Sequence, residues 1–261
     1  VIGEGERDEA PMLYIGEEVG NGNGPEVDIA LDPLEGTTLT AKAMPNAMAV
    51  ISMGPRGSML HAPDVYMWKL AIGPGYPEGI VNLDMDPAEC VRTLAKSKGC
   101  RPDEITVCIL ERPRHLEMID KVRATGASIH LITDGDVAGV IQCAQPERTG
   151  IDMYMGAGGA PEGVLAASAL KSMGGQILGR LWFRNEEERA RADRAGITEP
   201  DKVYTKDEMV KGDVIFAATG VTDGSILRGA RRDGQWMETE TILMRSKSGS
   251  VRHITYRQKN M

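Results

Sequence analysis

The chain has 261 residues, enough for one large domain or two ordinary ones. With 30 Lys and Arg against 38 Asp and Glu, its formal charge is −8, which argues against a nucleic-acid binder that needs clustered cations. Apolar residues are 41% and charged residues 26%, so a packed core is within reach, and no run approaches the roughly 18 apolar residues of a membrane span. No basic-then-apolar leader opens the sequence. Its first residues, Val1-Ile2-Gly3-Glu4, read as the end of a buried strand in a chain whose natural N-terminus is missing. Cys90, Cys100, Cys108 and Cys143 form no Cys-x-x-Cys pair and read as free thiols of a cytoplasmic protein.

In chain order, residues 27–31 read as a strand stopped by Pro33. Strands follow at 47–53 and 66–72, each closed by a Gly-Pro turn. A helix is expected over 87–98, with Gly99 at its end. The rhythm then becomes alternation. Strands at 105–110, 128–132 and 152–155 interleave with helices at 115–124, 137–143 and 161–173, which argues for a parallel α/β unit. A charged surface helix at 185–195 and strands at 214–219, 239–245 and 251–257 complete the reading, with a soft domain boundary at 98–102.

Four segments concentrate chemistry. Gly3-Glu4-Gly5-Glu6-Arg7-Asp8-Glu9 crowds charges beside small glycines. Asp32-Pro33-Leu34-Glu35-Gly36-Thr37 delivers two carboxylates and a hydroxyl to a strand end, donors that suit hard cations such as Mg²⁺ or Mn²⁺. Gly156-Ala157-Gly158-Gly159-Ala160-Pro161-Glu162-Gly163 leads into an apolar helix and turns backbone N–H groups toward an anion. Arg112-Pro113-Arg114-His115 follows a strand and offers two guanidinium groups to a phosphate. His115 reads as a helix-start residue rather than a catalyst. Each segment alone has a bland reading, as a solvated turn or a surface ion pair.

Together these segments resemble class II fructose-1,6-bisphosphatase, within the metal-dependent, lithium-sensitive sugar phosphatase superfamily. Asp32 to Thr37 matches the superfamily signature. Gly3 to Glu6, Ala62-Pro63-Asp64 before Tyr66, Arg112 to His115, Asp134-Gly135-Asp136 and Gly158 to Gly163 point to the class II family, in that order along essentially the whole chain. The resemblance implies a layered α/β sugar-phosphatase fold with two subdomains and an active site between them: residues 1–100 metal-binding, 101–261 sugar-phosphate-binding. It implies Glu4, Asp32, Glu35 and Glu162 as ligands of two or more Mn²⁺ or Mg²⁺ ions. Thr37, which orients the attacking water, and Asp8 are the catalytic candidates. Gly36, Thr37, Tyr66, Arg112, Arg114, Asp134, Asp136 and Gly159 are the implied substrate contacts. The expected reaction is hydrolysis of the 1-phosphate of fructose 1,6-bisphosphate, with sedoheptulose 1,7-bisphosphate accepted by some members, and a homo-oligomer is expected. The family's N-terminal segment, with a further metal-site Asp and a Lys, is absent from this sequence, as is a short C-terminal extension.

Three alternatives stand beside this reading. Asp134-Gly135-Asp136 after a strand imitates the haloacid dehalogenase motif, in which the first Asp attacks phosphorus, although Ala138 replaces the usual Thr. A second is an inositol- or nucleotide-phosphate hydrolase sharing Asp32 to Thr37. The third is a non-catalytic relative that only binds metal or sugar phosphate.

Overall fold

The computed structural model describes residues 1–2 and 12–259, so Glu4, Glu6 and Asp8 lie outside the described residues. Strand β1 (Val27–Glu35) runs straight through Pro33, where a stop was expected. Two features permit this. β1 lies at one end of its sheet order, where a missing N–H is tolerated. Its register with β2 (Met48–Pro55) also slips between Asp32 and Glu35, a bulge in which Asp32 Oδ1 accepts the Leu34 N–H at 2.8 Å. Ile2, only 1% exposed, bridges Ala30 in parallel, in keeping with the strand-like reading of the opening residues. Gly36 then takes a left-handed φ of 88° and starts the short helix α1 (Thr37–Ala41).

Strand β3 (Tyr66–Ile72) and helix α2 (Pro87–Lys98) have the expected bounds. Asp86 caps α2 by accepting the Ala88 N–H, and Gly99 ends it in the left-handed region. The alternating stretch folds as β4 (Thr106–Leu110), α3 (Leu116–Arg123), β5 (Ser128–Ile132), α4 (Asp136–Cys143), α5 (Pro146–Thr149), β6 (Met153–Gly159) and α6 (Ala160–Met173). After it come β7 (Gln176–Trp182), α7 (Glu186–Arg194), β8 (Val203–Thr205), α8 (Lys206–Met209), β9 (Ile215–Gly220), β10 (Arg231–Asp233), β11 (Trp236–Arg245) and β12 (Ser250–Lys259).

These strands build two six-stranded sheets. The first has the order β1-β2-β9-β11-β10, with β12 also paired to β11, and its named strands pair antiparallel. The second has the order β5-β4-β6-β3-β7-β8. Here β4 pairs parallel with β5 and β6, as the alternation implies, whereas β3, β7 and β8 extend the sheet antiparallel. Sheet membership does not split at residue 100: β3 joins the second sheet, and β9 to β12 return to the first.

The core explains the layering. α6 is apolar or small nearly all round, the composition of a helix buried on every side. With α4 it lies between the sheets, touching Val50, Phe216 and Met244 of the first and Met67, Tyr154 and Leu181 of the second through one apolar cluster. A second cluster packs α2 and α3 on the outer face of the second sheet, against Leu70, Ile109 and Met155. Among the described residues no helix is long and apolar enough to cross a membrane.

Candidate active site

The parallel strands β4, β5 and β6 all end at one edge of the second sheet, the edge where ligands gather in α/β folds. Arg112 follows β4, Asp134 follows β5, and Gly159 ends β6. β3 runs the other way, so its first residue, Tyr66, pairs with Gly159 at the same edge. From the first sheet the β1 bulge contributes Asp32 and Glu35, both buried. α4 and α6, between the sheets, contribute Asp136 and Glu162.

Four carboxylates thereby meet one ammonium group. Glu35 is buried among acids, and burial first, then Asp136, Glu162 and Asp32, raise its pKa well above the ordinary carboxylate range. The Asp32 carboxyl beside it adds to that rise, and its Oε1 accepts the Val137 N–H at 2.8 Å. Glu162 is pushed up to about 7, mainly by burial and further by Asp136 and Asp32, with Lys69 pulling the other way. Its Oε2 is buried and accepts no hydrogen bond among the described residues. Lys69, 1% exposed, pairs with Asp136 and donates to the Gly159 carbonyl at 2.7 Å.

The glycines of the 156–163 segment make room for these acids. A Cβ on Gly158 would stand 2.0 Å from Asp136 Oδ2, and one on Gly159 would stand 1.9 Å from Glu162 Oε2. In Gly159→Ala the Glu162 carboxyl, the far end of a flexible side chain, must swing away. The melting temperature should therefore change by only a few degrees, while turnover drops by roughly tenfold or more, the effect of displacing a site carboxylate from its place. Thermal denaturation and phosphate release measured on the same preparation check this, and equal loss of both would point to a folding defect instead.

The cationic shelf lies beside the acids. The Arg114 guanidinium lies 4.8 Å from the Tyr66 ring centroid and donates to the Ala157 carbonyl at 2.5 and 3.2 Å. Arg184 lies 4.3 Å from the same ring and is held by an ion pair to Glu188. Arg112 approaches Asp134 at 4.0 Å, and the other Asp134 oxygen accepts the Thr38 N–H at 3.1 Å. Thr37 is exposed, and its hydroxyl makes no hydrogen bond among the described residues. Asp136, expected beside sugar hydroxyls, is buried on Lys69, whereas Asp134 is partly exposed. Glu4 and Asp8 lie outside the described residues.

Sequence reasoning missed Lys69, Arg184 and the structural part played by His115. A lone Lys at an inward position of β3, between Met67 and Ala71, was a legible signal, because period-two alternation points it into the core. Arg184 carried no local signal. His115 sits just before α3, as expected of a helix-start residue, but it is fully buried and engaged at both ring nitrogens. Nδ1 lies 2.7 Å from the Leu110 carbonyl, and Nε2 accepts the Ala157 N–H at 2.8 Å. That pattern needs the neutral ring, and burial, with Arg114 and Arg112, lowers its pKa. A depressed folded-state pKa means that the unfolded chain binds the proton first. His115 therefore contributes stability above about pH 6.5, which is lost as pH falls through the lower folded value. Urea midpoints at pH 7.5 and 5.5 should drop more in the parent than in His115→Gln, and parallel drops would remove His115 from the acid response.

The acids suit a divalent cation. Among the described residues no three Asp, Glu, His or Cys side chains form a finished metal cage. Mg²⁺ needs none, since it commonly takes one or two carboxylates and completes its shell with water and phosphate. A buried, unpartnered carboxylate oxygen and mutually repelling acids with one ammonium between them fit that demand.

A sequence model described as bacterial fructose-1,6-bisphosphatase, glpX-encoded, matches residues 1–258. The chain is 43% identical over 279 residues to a D-fructose 1,6-bisphosphatase class 2/sedoheptulose 1,7-bisphosphatase of Synechococcus sp. (strain JA-2-3B'a(2-13)), covering 97% of this chain and 80% of that protein. It is 44% identical over 268 residues to fructose-1,6-bisphosphatase 1 class 2 of Escherichia coli (strain K12), covering 97% of this chain and 79% of that protein. These matches leave the haloacid dehalogenase alternative without support, as does Asp134, which is already engaged with Thr38 and Arg112. With the acids and the arginine shelf drawn to one sheet edge and the match spanning nearly every residue, the chain belongs to the glpX-type, class II fructose-1,6-bisphosphatase family of phosphoric monoester hydrolases.

Proposed function

We propose that the chain hydrolyses the 1-phosphate of fructose 1,6-bisphosphate, with sedoheptulose 1,7-bisphosphate as a second substrate, at a site that takes two or more Mn²⁺ or Mg²⁺ ions. The observation that carries this reading is an under-neutralised carboxylate cluster beside an arginine and tyrosine shelf at one sheet edge. Asp32, Glu35 and Glu162, with Glu4, are the residues to hold the ions. When bound, such ions neutralise phosphate oxygens and lower the pKa of a water. Thr37 orients the attacking water, with Asp8 as its catalytic companion. Gly36 and Gly159 let the backbone approach the substrate closely. Arg112 and Arg114 hold the phosphate that stays, Tyr66 packs beside it, and Asp134 serves the sugar hydroxyls while Asp136, tied to Lys69, braces the site from behind. Residues 1–100 thus supply most ion-binding groups and residues 101–261 most sugar-phosphate contacts. The free cysteines support a cytoplasmic setting. Exposed Ile51, Met53, Ile215 and Ile254 on strands of the first sheet support a homo-oligomer.

Steady-state phosphate release tests the division of labour. Chelator should abolish turnover, and Mn²⁺ or Mg²⁺ should restore it. Thr37→Val should lower kcat by about 10²-fold or more with little change in KM, because a proton-relaying hydroxyl acts in the transition state. Arg114→Ala should raise KM for the bisphosphate and matter far less for fructose 1-phosphate, which lacks the remote phosphate. If Arg114→Ala weakens both substrates equally, the phosphate assignment is wrong. No metal-dependent release from any bisphosphate would leave the non-catalytic alternative.

A further inference from the structure

The second sheet carries the cleft residue Lys69 on one face of β3, and on the other face, under α2, lies a cavity of about 280 Å³. Trp68 and Leu70 of β3, Met155 of β6, Leu83 and Met118 line it, and Arg180 of β7 joins its wall. The Arg180 Nη2 donates to the exposed Asp84 at 2.8 Å, but its Nε is buried and donates to no acceptor among the described residues. A buried donor left without an acceptor is unfavourable, so this wall of the cavity presents an unmet demand for an acceptor. Apart from Arg180, Lys69, Asn82 and Cys90 its walls are apolar, and Met85, Met118 and Met155 suit a flat ring, because thioethers adapt to aromatic faces. A mostly apolar cavity with a few convergent polar groups is the usual form of a small-molecule site.

We infer that this cavity is an effector site, separate from the cleft, for a compact flat apolar acid whose anionic group pairs with Arg180. The inference rests on the proposed reaction only for what the effector changes. Trp68, in the cavity wall, packs on Trp182 at 5.4 Å between centroids. Trp182 packs on Tyr66 at 5.7 Å, and Tyr66 carries the guanidinium groups of Arg114 and Arg184. An acid seated against Trp68 therefore presses on a contiguous ring stack that ends at Arg184 and at Arg114, one of the two arginines proposed to hold the remote phosphate. Rings in direct contact pass a displacement along the stack, because each can move only by shifting its neighbour. Occupancy should change KM for the bisphosphate rather than the chemistry at Thr37.

Calorimetric titration of the whole chain with 2-naphthoate, and with neutral 2-naphthamide of nearly the same shape, tests the site. The acid should bind at one per chain, about tenfold or more tighter than the amide, the value of one charged hydrogen bond. Arg180→Gln should remove that difference, and Met118→Trp, which fills the cavity, should abolish binding of both. Saturating inorganic phosphate should leave acid binding intact, and saturating 2-naphthoate should shift KM for fructose 1,6-bisphosphate by about fivefold or more. Equal binding of acid and amide, displacement by phosphate, binding retained in Met118→Trp, or an unchanged KM would each overturn the inference. If Met118→Trp does not fold, the acid and amide comparison on the unaltered chain decides the site. A chain that binds 2-naphthoate in this way but releases no phosphate would sink the proposed reaction, and with it the effector role, while leaving the cavity assigned as a binding site.

Discussion

Lys69→Met should lower the stability of the metal-free chain by about 3–5 kcal/mol, the usual consequence of removing one partner of a buried ion pair. For a chain of this size that is a fall in melting temperature on the order of 10 °C. The reason lies in what surrounds the ammonium group. Lys69 is 1% exposed, pairs with Asp136 and donates to the Gly159 carbonyl, and its charge also favours the ionised form of Glu162. Methionine fills similar volume but leaves the Asp136 carboxyl beside Glu35 and Glu162 with no cation. Adding Asp136→Asn to Lys69→Met should recover more than half of the loss, because the neutral amide removes the worst repulsion. The measurement is chemical denaturation in the presence of chelator, since divalent ions would mask the effect. A Lys69→Met chain as stable as the parent would show that the pair is not a structural tie.

The parts legible in the sequence were those whose cause is local. The strand at 66–72 and the helix at 87–98 announce themselves by residue type, cap and turn, and the structure places them at those bounds. Asp32 to Thr37 could be read as a site because strand, acid, Pro and Gly lie within a few residues of one another. The passage of β1 through Pro33 could not, because it depends on lying at the end of a sheet and on a bulge set by the partner strand. β7 was overlooked because Gly179 and Arg180 interrupt its apolar alternation. Its place is set by pairing with β3 more than a hundred residues earlier. The Lys69–Asp136 pair joins residues 67 apart, and the His115–Ala157 bond spans 42, so neither partner can be named from its neighbours. The acids of the cleft were found by type, whereas the ammonium that sets their balance was not.

Glu162→Gln should produce opposite effects on stability and on turnover, and that opposition separates a site residue from a structural one. In the metal-free chain the Glu162 carboxyl has its pKa raised to about 7, chiefly by burial. A carboxyl whose folded-state pKa is raised binds its proton more tightly when folded. Its contribution is therefore fully present below the ordinary value near 4.3 and is lost as pH rises through about 7. Glutamine carries no such charge, so at pH 8 with chelator the variant should be more stable than the parent by about 1–2 kcal/mol. At pH 5 the two should denature at nearly the same urea concentration. Divalent ions reverse the ranking, because binding requires the ionised carboxylate and releases its proton. Parent affinity for Mn²⁺ should rise steeply between pH 6 and 8, while the variant binds weakly with a shallower dependence. Phosphate release by the variant should fall by about 10³-fold, corresponding to several kcal/mol of lost transition-state stabilisation. Asp32→Asn should behave in the same sense, lowering turnover without unfolding the chain. The decisive comparison is urea denaturation with and without chelator at pH 5 and 8, set beside Mn²⁺ titration and turnover of the same variant. If Glu162→Gln keeps its Mn²⁺ affinity and turnover within threefold of the parent, Glu162 is not an ion-binding residue, and its unpartnered buried oxygen needs another explanation.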